Sequence, residues 1–328
     1  MYSVKEVVYS EWETHLKEIQ HFNILQHWLY GEAKEQTSKW KAVRFLITRD
    51  GQFVALAQLL VITLPFLGGI ARMNRGPLLN KLIENDYRDS TVCNVIKTLV
   101  KEAKKRYWWV IQIAPELANS LGTVQVLRTF GLRQLNALPY ASGLIDLLPN
   151  KDQLLMSLKG KWRNCLRKGI LLGTKVTKVC GNSSELNILI KSYSRLKQDK
   201  GFLGVPDSLI ISLAKQEGEG WEFTLFIANE ENFENAENPA GMLVSIRHGD
   251  TTTYFIGYTN EKGRKLKVNY ILLWEAILHA KQNGCKWFDI GGLNSSTPKG
   301  IAHFKSGLNP EYYGLIGEWR GFIVPWKR

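Results

Sequence analysis

The sequence predicts an α/β (α+β) protein built from two similar units. Its 328 residues exceed the usual size of a single hydrophobic core, so two domains are the expected organisation. Hydrophobic residues make up 45% of the chain and aromatic residues 11%, which is enough to fill such cores. The same order of elements, a strand hairpin followed by a helix and a buried strand, occurs in each half.

In the first half, residues 40–47 and 53–64 are predicted to pair as a hairpin across a polar turn at residues 49–51. A helix over residues 90–105 is predicted because its apolar residues recur at helical spacing on one face. These apolar residues are Val92, Val95, Ile96, Leu99 and Val100. A buried strand over residues 108–113 follows the helix.

The second half repeats this order with different residues. Strands are predicted over residues 222–228, 240–247 and 252–257, and they are followed by a helix over residues 268–282 and a strand over residues 286–290. The recurrence indicates a tandem duplication, with one domain in each half of the chain.

The predicted domains are residues 1–150 and residues 151–328, and the second begins with a basic segment. Residues 151–171 are predicted to form one amphipathic helix with an apolar face. Arg163 and Arg167 lie one helical turn apart on another face. Such a face is either simply solvated or contacts the phosphate groups of a nucleic acid.

The chain is basic, with 43 Lys and Arg residues against 30 Asp and Glu residues and a formal charge of +13. This charge suits a polyanionic partner such as tRNA, although a basic cytosolic protein would also carry it. The four cysteines lack metal-ligand spacing, so neither a metal site nor a disulfide framework is predicted. A cytoplasmic protein is expected, and attachment to the inner face of the membrane is compatible with the charge.

The most informative chemical motif is the pair Phe304-Lys305, which follows a buried strand ending near Asp289. Gly300 and Gly307 bracket the pair, so a glycine-hinged loop is predicted to carry it. An ammonium group stabilises the oxyanion of an acyl-transfer intermediate, which makes Lys305 the first catalytic candidate; an exposed loop lysine is the alternative. Asp289 is expected to bond to loop amides or to a lysine, and shaping the loop is favoured over proton transfer.

The order and spacing of these motifs, with the helix around residues 269–276 ahead of them, resemble the Fem family of aminoacyl-tRNA-dependent peptidyltransferases. The resemblance implies two N-acetyltransferase-like (GNAT-type) domains in tandem, with mixed sheets flanked by helices. No heptad repeat lies between the halves, so the chain is similar to the compact members without a coiled-coil arm. In the family, the lysine that matches Lys305 stabilises the oxyanion or the tRNA acceptor end, and the aromatic residue that matches Phe304 packs beside it.

The resemblance also implies substrate-binding residues in both halves. Lys34 matches a family lysine that contacts the phosphate of a nucleotide-linked acceptor. Arg75 matches a basic-Gly-Pro turn, although it could instead cap the preceding strand. Tyr254 lies where the family has aromatic residues lining the substrate channel, and a half-buried strand residue is the alternative.

Two positions depart from the family pattern. Val205 stands where members that use a nucleotide-linked acceptor have an arginine, and Ala114 stands where an acidic residue is expected before Pro115. A nucleotide-linked and a lipid-linked peptidoglycan precursor are therefore both open as the acceptor. No general base stands out, and a proton path through the ribose hydroxyl of the tRNA end would need none.

The resemblance implies an aminoacyltransferase that joins an amino acid from aminoacyl-tRNA to an amine of a peptidoglycan stem peptide, as in interpeptide bridge formation, without a cofactor. The first alternative is an acyl-CoA-dependent N-acyltransferase acting on an amino sugar or exopolysaccharide precursor. It draws on a cationic loop with Lys262, Arg264 and Lys265 before a helix N-terminus, which suits the phosphates of CoA or of tRNA. The second alternative is a non-catalytic binding protein of the same fold.

Overall fold

The computed structural model describes residues 1–66, 68–230 and 239–323. Within these ranges the chain forms two compact units, each with its own mixed sheet and its own hydrophobic core. None of the described helices is both long enough and apolar enough to cross a membrane.

The division between the units lies at Ala141, earlier than the predicted boundary after residue 150. The first unit comprises Met1–Ala141 and, among the described C-terminal residues, 313–323, whereas the second comprises Ser142–Tyr312. The first unit is therefore discontinuous in sequence. The sequence pattern did not indicate the return of the C-terminal segment, because the returning strand has only four residues.

The elements up to residue 134 all belong to the first unit. In chain order they are β1 (Tyr2–Glu6), α1 (Tyr9–Leu16), a 3-10 turn (Ile24–Gln26), α2 (Trp28–Thr37), β2 (Lys41–Arg49), β3 (Gln52–Leu64), β4 (Gly68–Asn74), β5 (Leu78–Leu79), α3 (Asn85–Lys105), β6 (Trp108–Ala114), α4 (Leu121–Thr129) and β7 (Leu132–Gln134).

The remaining elements form the second unit, apart from the last strand, which lies in the first. In chain order they are β8 (Ala141–Asp146), α5 (Lys151–Ser157), α6 (Gly160–Leu171), β9 (Thr174–Cys180), α7 (Ser184–Lys200), α8 (Asp207–Ala214), β10 (Trp221–Glu230), β11 (Gly241–His248), β12 (Thr251–Thr259), α9 (Glu261–Lys265), α10 (Val268–Gln282), β13 (Trp287–Asp289), α11 (Lys299–Ser306), β14 (Glu311–Gly314) and β15 (Trp319–Phe322).

The sheet of the first unit has the strand order β1-β2-β3-β4-β6-β15-β7, with β5 paired to β3. β2 and β3 form the predicted hairpin, whose turn places Asp50 and Gly51 at positive φ. The core on one face joins α3 to the sheet through residues such as Leu99, Ile111 and Trp319. β15 lies between β6 and β7 and is antiparallel to both.

The sheet of the second unit has the strand order β14-β8-β13-β12-β11-β10-β9. Its core gathers apolar residues of α6 and α10, including Leu166 and Ile271, around Phe288 of β13. α10 has the predicted bounds, Val268–Gln282. Gly169 of α6 has no room for a side chain, because a Cβ there would lie 2.9 Å from Cδ1 of Ile271, so the two helices cross closely.

The predicted recurrence of one element order in two similar units is confirmed by the strand pairing. In the first unit, β4 is followed by α3 and then by β6, which pairs with β4 in parallel. In the second unit, β12 is followed by α9 and α10 and then by β13, which pairs with β12 in parallel. A parallel pair requires such a crossover connection, and each unit supplies it with helix.

Residues 151–171 form two helices, so the prediction of a single helix is wrong. Asn150 caps α5 through a reciprocal capping box with Gln153. The chain becomes extended at Leu158 and Lys159, where ψ is 145° and 141°, before α6 begins at Gly160. Leu158 is buried, so the break inserts an apolar side chain into the core and separates the two helices.

Candidate active site

A gap opens between β12 and β13 where their parallel pairing ends. The two strands pair from Thr251 opposite Trp287 to Thr253 opposite Asp289, where β13 stops, whereas β12 continues to Thr259. The part of β12 beyond Thr253 therefore has no partner in β13. Such a gap leaves room for side chains from another element to enter the sheet.

Lys305 reaches this gap from α11, so the prediction that a hinged loop carries the Phe304-Lys305 pair is wrong. α11 starts after Pro298 and includes Gly300, and Gly307 follows it at an ordinary helical φ of −71°. Gly307 is required by packing, since a Cβ there would lie 2.4 Å from Cδ1 of Trp162.

The ammonium group of Lys305 is enclosed by the backbone and rings around the gap. Lys305 is only 7% exposed. Its Nζ donates a hydrogen bond to the carbonyl oxygen of Gly292 at 3.2 Å and lies 5.0 Å from the ring centre of Tyr254. Burial lowers the pKa of Lys305 to about 8, and the charge of Asp289 opposes this shift. The group is therefore charged at neutral pH, and its charge is poorly hydrated.

Asp289 is buried at the end of β13 and shapes the loop that faces Lys305. Its Oδ1 accepts hydrogen bonds from the backbone N–H of Gly291 at 2.8 Å and from the hydroxyl of Ser142 at 2.5 Å. The predicted bond to a loop amide is thus confirmed. Gly291 has a φ of +72°, which glycine adopts without strain, and a Cβ there would lie 3.0 Å from the Tyr254 carbonyl oxygen, so glycine suits the close approach of this turn to β12.

Phe304 belongs to an aromatic cluster that fixes α11. Its ring stacks on Trp162 of α6 at 6.0 Å between ring centres and meets Tyr270 of α10 edge-to-face at 5.0 Å. Trp162 and Tyr270 are also in contact, at 5.0 Å. Three helices therefore converge on the residue that precedes Lys305.

A pocket of about 210 Å³ lies beside the gap and is lined by residues of the second unit. Tyr254, Phe304 and Lys305 line it together with Asn269 and Arg264, which lie near the start of α10. Burial raises the pKa of Tyr254 to about 12, so its hydroxyl stays protonated. The pocket therefore combines one buried cation with apolar walls and a guanidinium group, an arrangement that can bind an acyl group attached to a phosphate-bearing carrier.

Two histidines near the motif do not line this pocket. His303 is exposed on α11. His279 lies at 2.7 Å from Glu222, with Nε2 facing Oε1 of the carboxylate. Hydrogen bonds from His279 and Thr224 hold the pKa of Glu222 at about 2, well below its usual range, although burial opposes them.

The predicted phosphate contacts lie on helices. Residues 261–265 form the short helix α9, so the prediction of a cationic loop there is wrong. Lys262, Arg264 and Lys265 are exposed there, and Lys265 forms a 3.4 Å ion pair with Glu261. On α6, Arg163 donates a hydrogen bond to the Met156 carbonyl oxygen at 2.7 Å, whereas Arg167 is exposed.

Lys34 lies on α2 in the first unit, where burial and the nearby Arg72 lower its pKa.

A buried arginine that sequence reasoning missed holds α2 against the sheet. The guanidinium group of Arg44 lies 3.6 Å from the Trp28 ring centre and donates hydrogen bonds to Gln58 at 2.8 Å and Glu32 at 2.8 Å. Arg44 and Gln58 are opposite each other on β2 and β3, and their mid-strand polar character was the signal for a buried network.

Arg75 is buried in the first unit and is paired with an acid that sequence reasoning also missed. Its Nε donates to Oε1 of Glu116 at 2.7 Å, and its Nη2 donates to the Tyr313 hydroxyl at 2.9 Å. The backbone N–H of Arg75 donates to the Ala114 carbonyl oxygen at 2.7 Å. The carboxylate that pairs with Arg75 thus lies on the other side of Pro115 from Ala114.

The region around Val205 also contains a cation, which comes from α7. Nζ of Lys197 donates a hydrogen bond to the Val205 carbonyl oxygen at 3.1 Å and forms a 2.7 Å ion pair with Asp207. The Val205 N–H donates to the Tyr193 hydroxyl at 3.2 Å. Lys197 therefore orders the segment around Val205, and because it lies on α7, outside the matched motif, the sequence comparison did not identify it.

Two tandem units of this topology, each with a helical crossover between parallel strands, define a tandem GNAT-type fold. Comparison with solved structures agrees. FemX has a TM-score of 0.76 and 17% identity, and the match covers 98% of this chain and 97% of that one. A tandem GNAT protein from the clavulanic acid biosynthesis pathway has a TM-score of 0.55 and 11% identity, with complete coverage of both chains. L-PGS from Bacillus licheniformis has a TM-score of 0.54 and 13% identity, and the match covers 97% and 92% of the two chains.

The sequence itself resembles one family. Residues 222–327, which contain the gap, Asp289 and the Phe304-Lys305 pair, match the FemAB family. This match and the fold shared with FemX confirm the resemblance to the Fem family and support an acyltransferase at the level of the family. No curated protein matches the chain by sequence.

Proposed function

We propose that the protein is an aminoacyltransferase that moves an amino acid from aminoacyl-tRNA to an amine of a peptidoglycan stem peptide, in the manner of interpeptide bridge formation. The observation that carries this proposal is the buried ammonium group of Lys305 at the wall of the pocket in the second unit. The reaction is assigned to the cytoplasm, where charged tRNA is found and where a nucleotide-linked or lipid-linked precursor can serve as acceptor.

The chemistry needs a positive charge at the reacting carbonyl group. The acceptor amine attacks the ester carbon, the carbonyl oxygen becomes an oxyanion, and the bond to the ribose oxygen breaks as the amide forms. A fixed ammonium in a site of low polarity stabilises that oxyanion without reorganising solvent. The amine proton passes to the leaving ribose oxygen through the neighbouring ribose hydroxyl, so no protein base is required.

The neighbours of Lys305 support this role by restricting the ammonium to one position. The carbonyl of Gly292 and the ring of Tyr254 lie on its sides, and Asp289 orders the Gly291 turn in front of it. Phe304 packs beside the lysine and lines the pocket, where it would meet the acyl group or the terminal base of the donor. Tyr254 and Asp289 therefore act on the substrate mainly by positioning the lysine.

The phosphates of the donor are assigned to cations of the second unit. Arg264 lines the pocket, and Lys262 and Lys265 are exposed on the same helix. Arg163 and Arg167 of α6 are a second group of cations for phosphate groups, of tRNA or of another polyanion. Contacts of this kind lose affinity steeply with salt, so the apparent affinity for tRNA is expected to fall as ionic strength rises.

The acceptor is assigned to Lys34 and Arg75 of the first unit. Lys34 is partly buried, and Arg72, whose charge lowers the pKa of Lys34, is ion-paired with Glu318 at 3.1 Å, so Lys34 is the cation assigned to the acceptor phosphate. Arg75 is engaged by Glu116 and Tyr313, so it would shape the acceptor site more than bind phosphate. Lys34→Ala is expected to raise the KM for the acceptor more than it lowers kcat, and an unchanged KM would remove Lys34 from this site.

One assay tests the donor directly. The purified protein is incubated with aminoacyl-tRNA or with acetyl-CoA, in each case with a stem-peptide precursor or an amino sugar, and loss of the donor ester or thioester is followed. Consumption of aminoacyl-tRNA that requires the stem peptide supports the proposal. Consumption of acetyl-CoA alone would overturn it.

An acyl-CoA-dependent N-acyltransferase acting on an amino sugar or exopolysaccharide precursor is the second candidate, favoured by the position of Arg264. This residue lines the pocket just before α10, a 15-residue helix whose N-terminus suits phosphate groups. Against it, Lys267 takes the N-cap of α10 in a left-handed conformation, and the segment holds one glycine instead of a glycine-rich turn. That glycine, Gly263, is packed against the Ala240 carbonyl group, where a Cβ would not fit, so it is explained by the fold.

A further inference from the structure

Three consecutive aliphatic residues at the C-terminal end of α6 lie outside the hydrophobic core. Ile170, Leu171 and Leu172 are 56%, 87% and 44% exposed. The inner face of the same helix is fully occupied, because Trp162 and Leu166 are buried in the core and Gly169 contacts α10. Single exposed leucines are common on proteins, but three consecutive exposed aliphatic residues at a helix end are unusual.

Exposed cations lie close to this aliphatic tip along the chain. Leu171 follows Arg167 by one helical turn and Lys168 by slightly less, so the three side chains share the outward face. Residues 153–184 contain seven Lys and Arg residues and no Asp or Glu. Beyond the helix, Lys175 and Lys178 of β9 are exposed as well.

We propose that this surface, the α6 tip made of Ile170, Leu171 and Leu172 with Arg167, Lys168 and Lys175, docks the protein on an anionic lipid surface. The aliphatic side chains enter the boundary between headgroups and acyl chains, and the cations contact the phosphates. This division of labour is typical of amphipathic helices that lie on membranes, where apolar burial and attraction to anionic lipids add together.

The cations alone would suit either a tRNA backbone or an anionic lipid surface, and the exposed aliphatic side chains favour the lipid surface. A tRNA backbone is contacted by Lys and Arg and gains little from exposed leucine side chains. A lipid surface binds both the cations and the aliphatic side chains, because the leucines leave water when they enter the membrane and not when the protein binds a tRNA backbone. The short reach of the tip gives a weak, reversible attachment, consistent with a surface contact and not with a membrane span.

The test is co-sedimentation with lipid vesicles at low salt, and it requires no transferase activity, so it can fail while the proposed function holds. Wild-type protein is expected to sediment with vesicles that contain phosphatidylglycerol and to stay in the supernatant with vesicles of pure phosphatidylcholine. The double variant Ile170→Ser/Leu171→Ser should bind at least tenfold more weakly, since two aliphatic side chains no longer enter the membrane. Circular dichroism verifies that the variant is folded.

Two control variants show whether binding depends on the α6 tip itself or only on the total exposed leucine and net charge of the protein. Leu82→Ser/Leu121→Ser removes leucines that are 76% and 84% exposed in the first unit, and it should bind as wild type does. Arg167→Gln/Lys168→Gln should weaken binding about tenfold or more, whereas Lys101→Gln/Lys104→Gln on α3 lowers the net charge equally and should have a much smaller effect.

Two outcomes would overturn the proposal. The first is a wild-type protein that does not sediment with phosphatidylglycerol vesicles even at low salt. The second is equal binding by wild type and by Ile170→Ser/Leu171→Ser. In the second case the surface attracts polyanions by charge alone, and a tRNA contact would be the better assignment for its cations.

Discussion

At the scale of single residues, Lys305 joins two properties that seldom occur together in a lysine. It is buried, yet its ammonium group borders a pocket. Desolvation disfavours the charge, whereas the Gly292 carbonyl, the Tyr254 ring and Asp289 favour it. The resulting pKa of about 8 keeps the group positive at neutral pH. A poorly hydrated charge of this kind interacts strongly with any oxyanion that forms beside it.

Lys305→Met tests this role with a side chain of similar length and no charge. We expect transfer to slow by about 3 kcal/mol in barrier, or more than a hundredfold, as for the loss of one oxyanion donor. Lys299→Met, on the exposed side of the same helix, should leave the rate unchanged. Single-turnover rates measure the effect. Equal rates for Lys305→Met and wild type would show that the ammonium takes no part in the chemistry.

The same substitution should not reduce stability. Because the pKa of Lys305 is lower in the folded chain than in the unfolded chain, protonation at neutral pH favours unfolding. Methionine removes this cost while it fills the same space. We therefore expect a Tm equal to or above that of the wild type, so that lost activity cannot be ascribed to unfolding.

The pH dependence of the rate distinguishes an oxyanion-binding lysine from a lysine that acts as a base. The ammonium is present below a pKa of about 8 and is lost as the pH rises through it. We expect kcat/KM, which reports the ionisation of the free enzyme, to fall above pH 8 for the wild type. Lys305→Arg, which stays charged, should lose its residual activity at a higher pH or not at all. A wild-type rate that climbs through pH 8 and stays high would instead assign proton abstraction to Lys305.

Sequence reasoning reached some residues of the site and not others, for a physical reason. Asp289, Phe304 and Lys305 adjoin one strand and one helix, so a local motif brought them together. Arg75 and Glu116 are 41 residues apart, and Arg44 and Glu32 meet only after α2 packs on the sheet. Pairs of this kind depend on tertiary structure, which no local pattern encodes.

At the scale of elements, α11 shows how glycine spacing can mislead. Gly300 and Gly307 suggested two hinges, but both have helical geometry. Gly300 has no atom near the place of its missing Cβ, whereas Gly307 lies under Trp162. One glycine is therefore incidental and the other is required by packing, although the sequence presents them alike.

Alanine substitutions at Gly300 and at Gly307 test whether packing requires glycine at each position. Gly307→Ala is expected to destabilise the protein by about 1–3 kcal/mol, because the new methyl group overlaps the Trp162 ring and displaces α11. Gly300→Ala should be neutral or stabilise the helix by up to about 1 kcal/mol. Urea unfolding of both variants provides the measurement. If both substitutions cost little stability but both abolish transfer, the glycines act as hinges after all.

At the scale of the whole molecule, the recurrence of strands, helix and parallel strand was predictable because each half carries the pattern in consecutive segments. The bounds of α10 and the pairing of β2 with β3 followed from apolar periodicity and from a clear turn. The return of β15 to the first unit did not follow, since its four residues are too few to show a period. Discontinuous units are recognised by long-range pairing, and the sequence alone does not reveal it.

Trp319 tests the contribution of β15 to the first unit. Its side chain is fully buried in the core that also contains Ile111 and Leu132. Trp319→Ala should lower the free energy of unfolding by about 3–5 kcal/mol through the cavity that it leaves. Phe322→Ala, on the same strand but 72% exposed, should change stability by less than about 0.5 kcal/mol. Similar losses for the two variants would mean that the strand does not anchor the core.

The position of β15 bears on how the chain acquires its structure during synthesis. Ribosomes release the chain in order, so Trp319–Phe322 emerges only after all of Ser142–Tyr312. The second unit can fold from one continuous segment. The sheet of the first unit stays incomplete between β6 and β7 until β15 has been synthesised. We therefore expect the unit that is translated first to be completed last, reversing the usual N-terminal-first order. During that interval two open strand edges would be exposed to chaperones.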